Sequence, residues 1–337
     1  MSKTPKVISA LDIAALPASN KPHRLLLDIV EDGAGLPVRV PILVLKGDRP
    51  GPVLGLTAAL HGNEINGIPV IHGLFNWLAD KPLRGAVVAV LIVNVPGFHM
   101  NERRFADGTD LNGIMPGVEH GNEPQVYAWR IVDRVVRHMN VLIDLHTAST
   151  GRHNSLYVRS DMDNPDSASM AQLLRPQIIL HNAAKDGTLR AAAEDLDIPA
   201  VTMEIGNPQR FQPEHIRLSL IGVRRVMGEL GMVRRPHVVA GPPPVVCSRS
   251  RWLYTDRGGL LDVLPALTEH VSEGDVVARL CDIFGDRIAE YRAPESGVVI
   301  GKSVNPVGPS GARILHLGIL DAEDAKRVDD FDALGGP

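Results

Sequence analysis

The sequence predicts an α/β protein in which a mostly parallel sheet is flanked by helices, followed by a smaller all-β domain. Short apolar runs of strand length alternate with helical patterns over the first two thirds of the chain. This alternation is typical of parallel sheets with helices on both faces. After Arg235 the helical period ends, and turn residues recur at intervals of about ten to twenty residues. We therefore predict two domains, residues 1–235 and residues 236–337.

The elements of the first domain are predicted in chain order from their hydrophobic patterns. Residues 24–30 and 38–46 form a pair of antiparallel strands around a glycine-containing turn. Continuous apolar runs then predict strands buried on both faces, at residues 53–60, 86–93, 141–145 and 200–203. Helical patterns lie between and after these runs, at residues 65–79, 124–139, 166–174, 188–195 and 214–230.

The predicted second domain follows a stiff, proline-rich linker that includes Pro236 and residues 241–244. Turn signals then separate short strand-like runs, at residues 256–259, 272–275, 284–286 and 294–297. Such spacing favours a barrel-like or sandwich-like β domain. We expect the acidic tail, residues 321–337, to form a short helix that frays.

The composition and net charge of the chain exclude several classes of protein. The 337 residues are 44% hydrophobic and 22% charged, as in ordinary soluble globular proteins. A net charge of −4 argues against a dedicated nucleic-acid binder, which needs many lysines and arginines. No apolar run approaches the roughly 20 residues that span a bilayer. The two cysteines, Cys247 and Cys281, have no metal-type spacing. We expect a cytoplasmic protein without nucleic-acid or membrane partners, and a homo-oligomer is compatible with the sequence.

Two motifs follow predicted strands with residues that can bind a metal. His61-Gly-Asn-Glu64 comes where the strand at residues 53–60 ends, and His146 follows the strand at residues 141–145. Ligand sites of open α/β sheets gather at the carboxyl ends of strands. Catalytic zinc commonly takes three protein ligands of the His/Glu type. Taken singly, each histidine could instead be a capping or core residue, and Glu64 a helix N-terminal acid. Taken together, they predict one zinc ion per chain at His61, Glu64 and His146.

Glu204 interrupts another predicted buried strand just before Gly206. A carboxylate in such a strand is unfavourable unless it is paired or functional. Beside a catalytic zinc it would act as general base and then as general acid. The alternative is a glutamate held in a buried salt bridge.

The loop after the strand at residues 86–93 carries further candidates. Arg103 or Arg104 could polarise a scissile carbonyl and stabilise an oxyanion, and Asn112 could donate hydrogen bonds to a substrate. Either arginine could equally be a solvated loop residue. We predict Arg103 as the catalytic arginine, with Arg104 and Asn112 as substrate-binding residues.

Four motifs in this order resemble the succinylglutamate desuccinylase/aspartoacylase family, a branch of the zinc carboxypeptidase-like hydrolases. They are His61-Gly-Asn-Glu64, Asp110-Leu-Asn112, Asp144-Leu-His146 and Met203-Glu204-Ile-Gly206. The resemblance implies a zinc-carboxypeptidase-like fold, zinc at His61, Glu64 and His146, and Glu204 as the catalytic carboxylate. It also implies that Arg103, or Arg104 if the loop is offset by one, assists the oxyanion. The implied reaction is hydrolysis of a small N-acylated substrate, with a C-terminal β domain restricting access to the site.

One departure from the family pattern concerns the substrate. The family usually continues Asp-Leu-Asn with an arginine that binds a substrate carboxylate, whereas this chain has Gly113. A bidentate contact between arginine and carboxylate is hard to replace. The substrate therefore either lacks the usual α-carboxylate or is held by another cation, such as Arg152 or Arg210.

The sequence thus favours a zinc-dependent hydrolase that cleaves the amide bond of an N-acylated amino acid or small amine. Two alternatives remain. A carboxypeptidase-like metallopeptidase would use the same chemistry, although the arginine missing at Gly113 argues against it. A zinc-bearing binding protein without turnover would not need Glu204 as a base.

Overall fold

The computed structural model describes residues 4–235 and 242–320 of the chain. Its strands are β1 Lys6–Ile8, β2 His23–Glu31, β3 Pro37–Lys46, β4 Arg49–Ala58, β5 Arg84–Val90, β6 Val141–His146, β7 Arg152–Asn154, β8 Leu156–Ser160, β9 Ile178–His181, β10 Ala200–Ile205, β11 Val245–Tyr254, β12 Gly259–Val263, β13 His270–Val271, β14 Val276–Cys281, β15 Arg287–Arg292, β16 Gly297–Ser303, β17 Val307–Gly308 and β18 Arg313–Leu320. Its α-helices are α1 Gly67–Leu78, α2 Val95–Met100, α3 Glu123–Arg134, α4 Pro165–Leu174, α5 Leu189–Glu194 and α6 Pro213–Glu229.

The centre of the main sheet is parallel, because β5, β4, β6 and β10 lie side by side in one direction. All six residues of β6 and all six of β10 are buried, as their continuous apolar runs require. Antiparallel pairings occur towards both edges, for example between β2 and β3 and between β10 and β8. The predicted α/β class, with a mostly parallel sheet flanked by helices, is confirmed.

Two apolar cores cover the two faces of this sheet. One packs α1, α4 and α6 against the strands, and the other packs α3 and α5. Alternate residues of β6 point into different cores, Ile143 and Leu145 into the first and Leu142 into the second. Asp144 and His146 therefore project on the α3 and α5 side, near the end of the strand.

The C-terminal residues extend the main sheet and add a second one. β11 pairs in parallel with β9, and β16 pairs with β7, so both parts of the chain contribute to one sheet. A separate antiparallel sheet has the order β15-β14-β12-β17. The smaller all-β region is thus confirmed, whereas the division at residue 235 stays a prediction. Most of the predicted linker and the whole predicted tail helix, residues 321–337, lie outside the described residues.

The predicted helices and strands recur with shifted ends. The helix predicted at residues 124–139 ends at Arg134, because Val135 leaves the helical conformation and a 3₁₀ turn follows at Val136–His138. Four elements were not predicted from the sequence: α2, β7, β8 and β9. Across residues 4–235 and 242–320, no helix combines the length and apolar character needed to cross a membrane.

Candidate active site

The candidate site lies at the carboxyl edge of the central strands, beside a cavity of about 430 Å³. His146 is the last residue of β6, and Glu204 lies beside it on β10 in the parallel register. His61 and Glu64 lie in the loop between β4 and α1. The chain leaves β4 at Ala59, whose positive φ of 50° turns the backbone just before His61. Side chains from three strand ends therefore line one cavity.

His61, Glu64 and His146 converge closely enough to hold a metal ion. The two carboxylate oxygens of Glu64 lie 2.9 Å from His61 Nδ1 and 3.1 Å from His146 Nδ1. The two Nδ1 atoms are 3.2 Å apart. Gly62 permits this loop, because a Cβ there would lie 2.1 Å from the carbonyl carbon of Gly97. All three converging side chains are buried.

A carboxylate lies behind each imidazole. Asp144 is 2.7 Å from His146 Nε2, and Asp110 is 3.2 Å from His61 Nε2. Thr57 Oγ1 donates to Asp144 at 2.6 Å and so fixes its orientation. Carboxylates accept hydrogen bonds, so each Nε2 carries a proton and each Nδ1 can direct a lone pair at the other ligands. Two lone pairs and a carboxylate facing one point fit a divalent cation.

The charges around this point favour a cation. Burial alone would raise the pKa of Glu64, but the charge on His61 and the hydrogen bonds from both histidines lower it well below its usual range. Burial disfavours the charged form of His146, yet Asp144 and Glu64 outweigh it and raise the His146 pKa well above its ordinary value. In the protein alone, a proton on His146 therefore adds positive charge at this point.

Arg103 reaches the same cluster from the loop after α2. Its Nη1 donates to Glu64 at 2.8 Å and to the Ser149 hydroxyl at 2.8 Å. Its Nη2 and Nε both donate to Asp110 Oδ2, at 3.0 and 3.2 Å. Burial raises the pKa of Asp110, but hydrogen bonds and charges from His61 and Arg103 lower it well below its usual value. The guanidinium of Arg103 therefore lines the cavity next to the three candidate metal ligands.

Arg104 and Asn112, the two predicted substrate-binding residues, lie in different places. Arg104 is exposed, donates to the carbonyl of Gly108 and does not line the cavity. Asn112 lines it, although its Oδ1 already accepts a hydrogen bond from the Leu189 backbone at 2.8 Å. A Cβ at Gly113 would meet no atom within 4 Å. Open space therefore lies where the arginine usual in the family would begin its side chain.

Glu204 faces the cavity and is nearly buried. Asn154 on β7 donates to its Oε2 at 3.3 Å, and Arg159 Nη2 on β8 lies 3.4 Å from its Oε1. Arg159 also donates to the Tyr157 hydroxyl at 2.6 Å. Glu204 thus combines two features that the sequence leaves open as alternatives, a salt bridge and a place in the site. It has an ion-pair partner, and it lines the cavity that also contains His61, Glu64 and His146.

Several residues that line the cavity were not predicted from the sequence. They come from β7, β8, the loop before α5, α5 itself and the C-terminal strands: Asn154, Tyr157, Arg159, Lys185, Arg190, Trp252 and Arg313. Arg152, one of two alternative cations considered above, lines the cavity, whereas Arg210 does not. Arg152 and Arg159 fall in short β-rich runs, a signal that could have marked β7 and β8. Trp252 and Arg313 reach the cavity through pairing between distant strands, which leaves no local pattern in the sequence.

Comparison with known proteins agrees with the motifs. The model of the succinylglutamate desuccinylase/aspartoacylase catalytic domain matches residues 50–230. A curated relative, the N-alpha-acetyl-L-2,4-diaminobutyric acid deacetylase of Halomonas elongata, is 26% identical over 284 residues, which cover 79% of this chain and 81% of the relative.

Solved structures share the fold over almost the whole chain. A succinylglutamate desuccinylase from Silicibacter sp. TM1040 superposes with a TM-score of 0.79 at 24% identity, covering 91% of this chain and 98% of that one. The product-bound ectoine utilization protein EutE (DoeB) from Ruegeria pomeroyi gives a TM-score of 0.80 at 21% identity, covering 90% and 98%. Since the catalytic-domain match spans more than half of the sequence, this chain belongs to the succinylglutamate desuccinylase/aspartoacylase family.

Proposed function

We propose that this protein is a zinc-dependent deacylase that hydrolyses the amide bond of an N-acylated amino acid or small amine in the cytoplasm. The observation that carries the proposal is the convergence of His61, Glu64 and His146 in the cavity that Glu204 and Arg103 also line. The name of the curated deacetylase relative supports the same reaction class.

The three converging residues fit one zinc ion per chain. Two imidazoles and one carboxylate are the ligand types of catalytic zinc, and they leave a position open to substrate or water. When bound there, zinc would supply Lewis acidity to a substrate carbonyl and lower the pKa of water. Asp144 and Asp110 hold the two imidazoles in the tautomer that leaves Nδ1 available.

Glu204 is the group that moves the proton in this proposal. Its carboxylate takes a proton from the attacking water and then returns it to the nitrogen of the departing amine. Asn154 on β7 and Arg159 on β8 hold its two oxygens, which fixes the carboxylate without burying it completely. This orientation supports a general base better than a purely structural ion pair, since Glu204 also lines the cavity.

Arg103 stabilises the negative charge that develops on the carbonyl oxygen. Its guanidinium is held at Glu64, Ser149 and Asp110, so it is oriented before substrate binds. Preorganised donors of this kind contribute most when charge develops in a site with little water.

The test uses zinc-loaded protein and mass spectrometry of products from N-acyl amino acids, N-acyl amines and short peptides. We expect release of one acyl class, and we expect Glu204→Gln to lower kcat by about 10²–10⁴-fold while zinc content is unchanged. Glu214→Gln, an exposed glutamate on α6, is the matched control and should keep full activity. Release of terminal residues from peptides would instead indicate a peptidase. Full activity of the Glu204 variant would contradict the proposed mechanism.

A further inference from the structure

The cavity carries a large excess of positive charge. Two carboxylates, Glu64 and Glu204, line it together with six basic side chains, which are Arg103, Arg152, Arg159, Lys185, Arg190 and Arg313. A divalent metal at the His-Glu-His cluster would add further positive charge. A cavity of this kind attracts substrates that carry more than one negative charge.

Three of these arginines already have partners that fix them. Arg103 binds Glu64 and Asp110, Arg159 pairs with Glu204, and Arg190 donates to the backbone and side chain of Asn182. Arg152 and Arg313 differ from them. Within residues 4–235 and 242–320, neither guanidinium has a hydrogen-bond acceptor or a carboxylate partner.

Trp252 is the group that both of these guanidinium groups contact. The Arg152 guanidinium carbon lies 5.5 Å from the centre of the indole ring, and that of Arg313 lies 4.8 Å from it. The ring is itself held by His316, which stacks on it at 4.6 Å with an angle of 6° between the planes. Contact with an aromatic face orients a cation without neutralising it. Both charges thus stay available to a ligand.

Strand pairing brings the two arginines together from distant parts of the sequence. Arg152 is the first residue of β7, where it pairs with Ser303 of β16. Arg313 is the first residue of β18, opposite Tyr254 of β11. The positions of both side chains are therefore set by the sheet rather than by a free loop.

The charges around Arg152 favour the binding of an anion. Burial and the nearby charges of Arg313 and Arg103 lower the pKa of Arg152, even though Glu204 and Glu64 act in the opposite direction. Like charges in a half-buried cavity repel each other unless an anion lies between them. A carboxylate accepts two parallel hydrogen bonds from a guanidinium, which makes it a good fit to such a pair.

We propose that Arg152 and Arg313, held against Trp252, form a carboxylate subsite that selects substrates with a carboxylate away from the scissile amide. This inference rests on the proposed deacylase function and names its substrate class. The subsite supplies cations for a substrate carboxylate. The chain has Gly113 at the position where the family usually has a carboxylate-binding arginine. The selected carboxylate belongs either to the amino acid or to the far end of the acyl chain, and the experiment distinguishes these two sources.

The first arm measures turnover of matched substrate pairs in which one carboxylate becomes a carboxamide. N-succinyl against N-succinamoyl substrates test the acyl chain, and N-acetylglutamate against N-acetylglutamine tests the amino acid. We expect the parent protein to prefer the carboxylate at least tenfold in kcat/KM in one pair. Arg152→Gln and Arg313→Gln should each reduce that preference about tenfold, mainly through KM, and keep turnover of the carboxamide. Arg251→Gln, next to Trp252 and paired with Glu295, is the matched control.

The second arm measures binding without turnover, by calorimetric titration of succinate into the metal-loaded proteins. We expect Kd to rise about tenfold in each of the two variants and to stay unchanged in Arg251→Gln. Equal affinities in all proteins, or an unchanged carboxylate preference, would overturn the subsite. Absence of turnover in the parent together with weaker succinate binding in both variants would overturn the deacylase proposal and leave the subsite intact.

Discussion

Arg103 and Arg104 are adjacent arginines with very different surroundings. Arg103 donates hydrogen bonds to Glu64, Asp110 and Ser149, while Arg104 is exposed and donates only to a loop carbonyl among the described residues. We expect Arg103→Ala to lower kcat by about 10²–10³-fold, the loss typical of removing one oxyanion donor. Arg104→Ala should remain within twofold of the parent. Steady-state kinetics with the substrate identified for the parent protein measure kcat for both variants.

Zinc content is the control for this comparison, because Arg103 also donates a hydrogen bond to Glu64, a proposed metal ligand. A loss of activity that follows a loss of zinc would mean that Arg103 supports Glu64 rather than the oxyanion. Equal losses in the two variants, or a larger loss in Arg104→Ala, would contradict the assignment of Arg103.

At the scale of secondary structure, β18 carries a buried histidine in cationic surroundings. His316 is 3% exposed, its Nδ1 has no hydrogen-bond partner among the described residues, and its Nε2 lies 2.7 Å from the Ser250 hydroxyl. Burial, and then the charges of Arg159, Arg313 and Arg152, lower its pKa well below the ordinary value of 6.5. His316 is therefore neutral in the folded protein near neutral pH.

This neutral histidine makes stability depend on pH in a definite direction. As pH falls below about 6.5, the unfolded chain binds a proton at His316 that the folded protein rejects, so the free energy of unfolding decreases. Between pH 7.5 and 5.5 we expect His316 alone to remove about 1.4 kcal/mol. Urea unfolding at both pH values should show this extra loss in the parent and in His120→Gln, an exposed control. Its persistence in His316→Gln would contradict the assignment.

The arrangement of strands also explains which parts of the site could be predicted from the sequence. His61, Glu64 and His146 were predictable because each follows an apolar run, and the carboxyl ends of parallel strands meet at one edge. Trp252 and Arg313 were not, because their positions depend on β11 pairing with β9 and β18, and on β16 pairing with β7. Pairings between distant segments leave no local period in the sequence.

At the scale of the whole molecule, the proposed metal joins the centre of the sheet to the loop before α1. His146 ends β6, whereas His61 and Glu64 belong to the loop that follows β4. All three residues are buried, and their ligand atoms lie within 4.8 Å of one another. A ligand that binds only the folded protein stabilises it, by about 2.7 kcal/mol at one hundred times its Kd.

We therefore expect chelator treatment to lower Tm by several degrees, and stoichiometric zinc to restore it. Magnesium and calcium should not restore it, because two imidazole ligands disfavour those cations. His181→Gln alters the partly exposed group Asp161, Asp163 and His181, the other described cluster that could bind a metal. That variant should keep the full chelator effect, whereas His146→Gln should lose it together with its zinc. Stabilisation depends on the side chains that bind the ion. A chelator effect that survives in His146→Gln and disappears in His181→Gln would therefore assign the stabilising metal to the cluster of Asp161, Asp163 and His181.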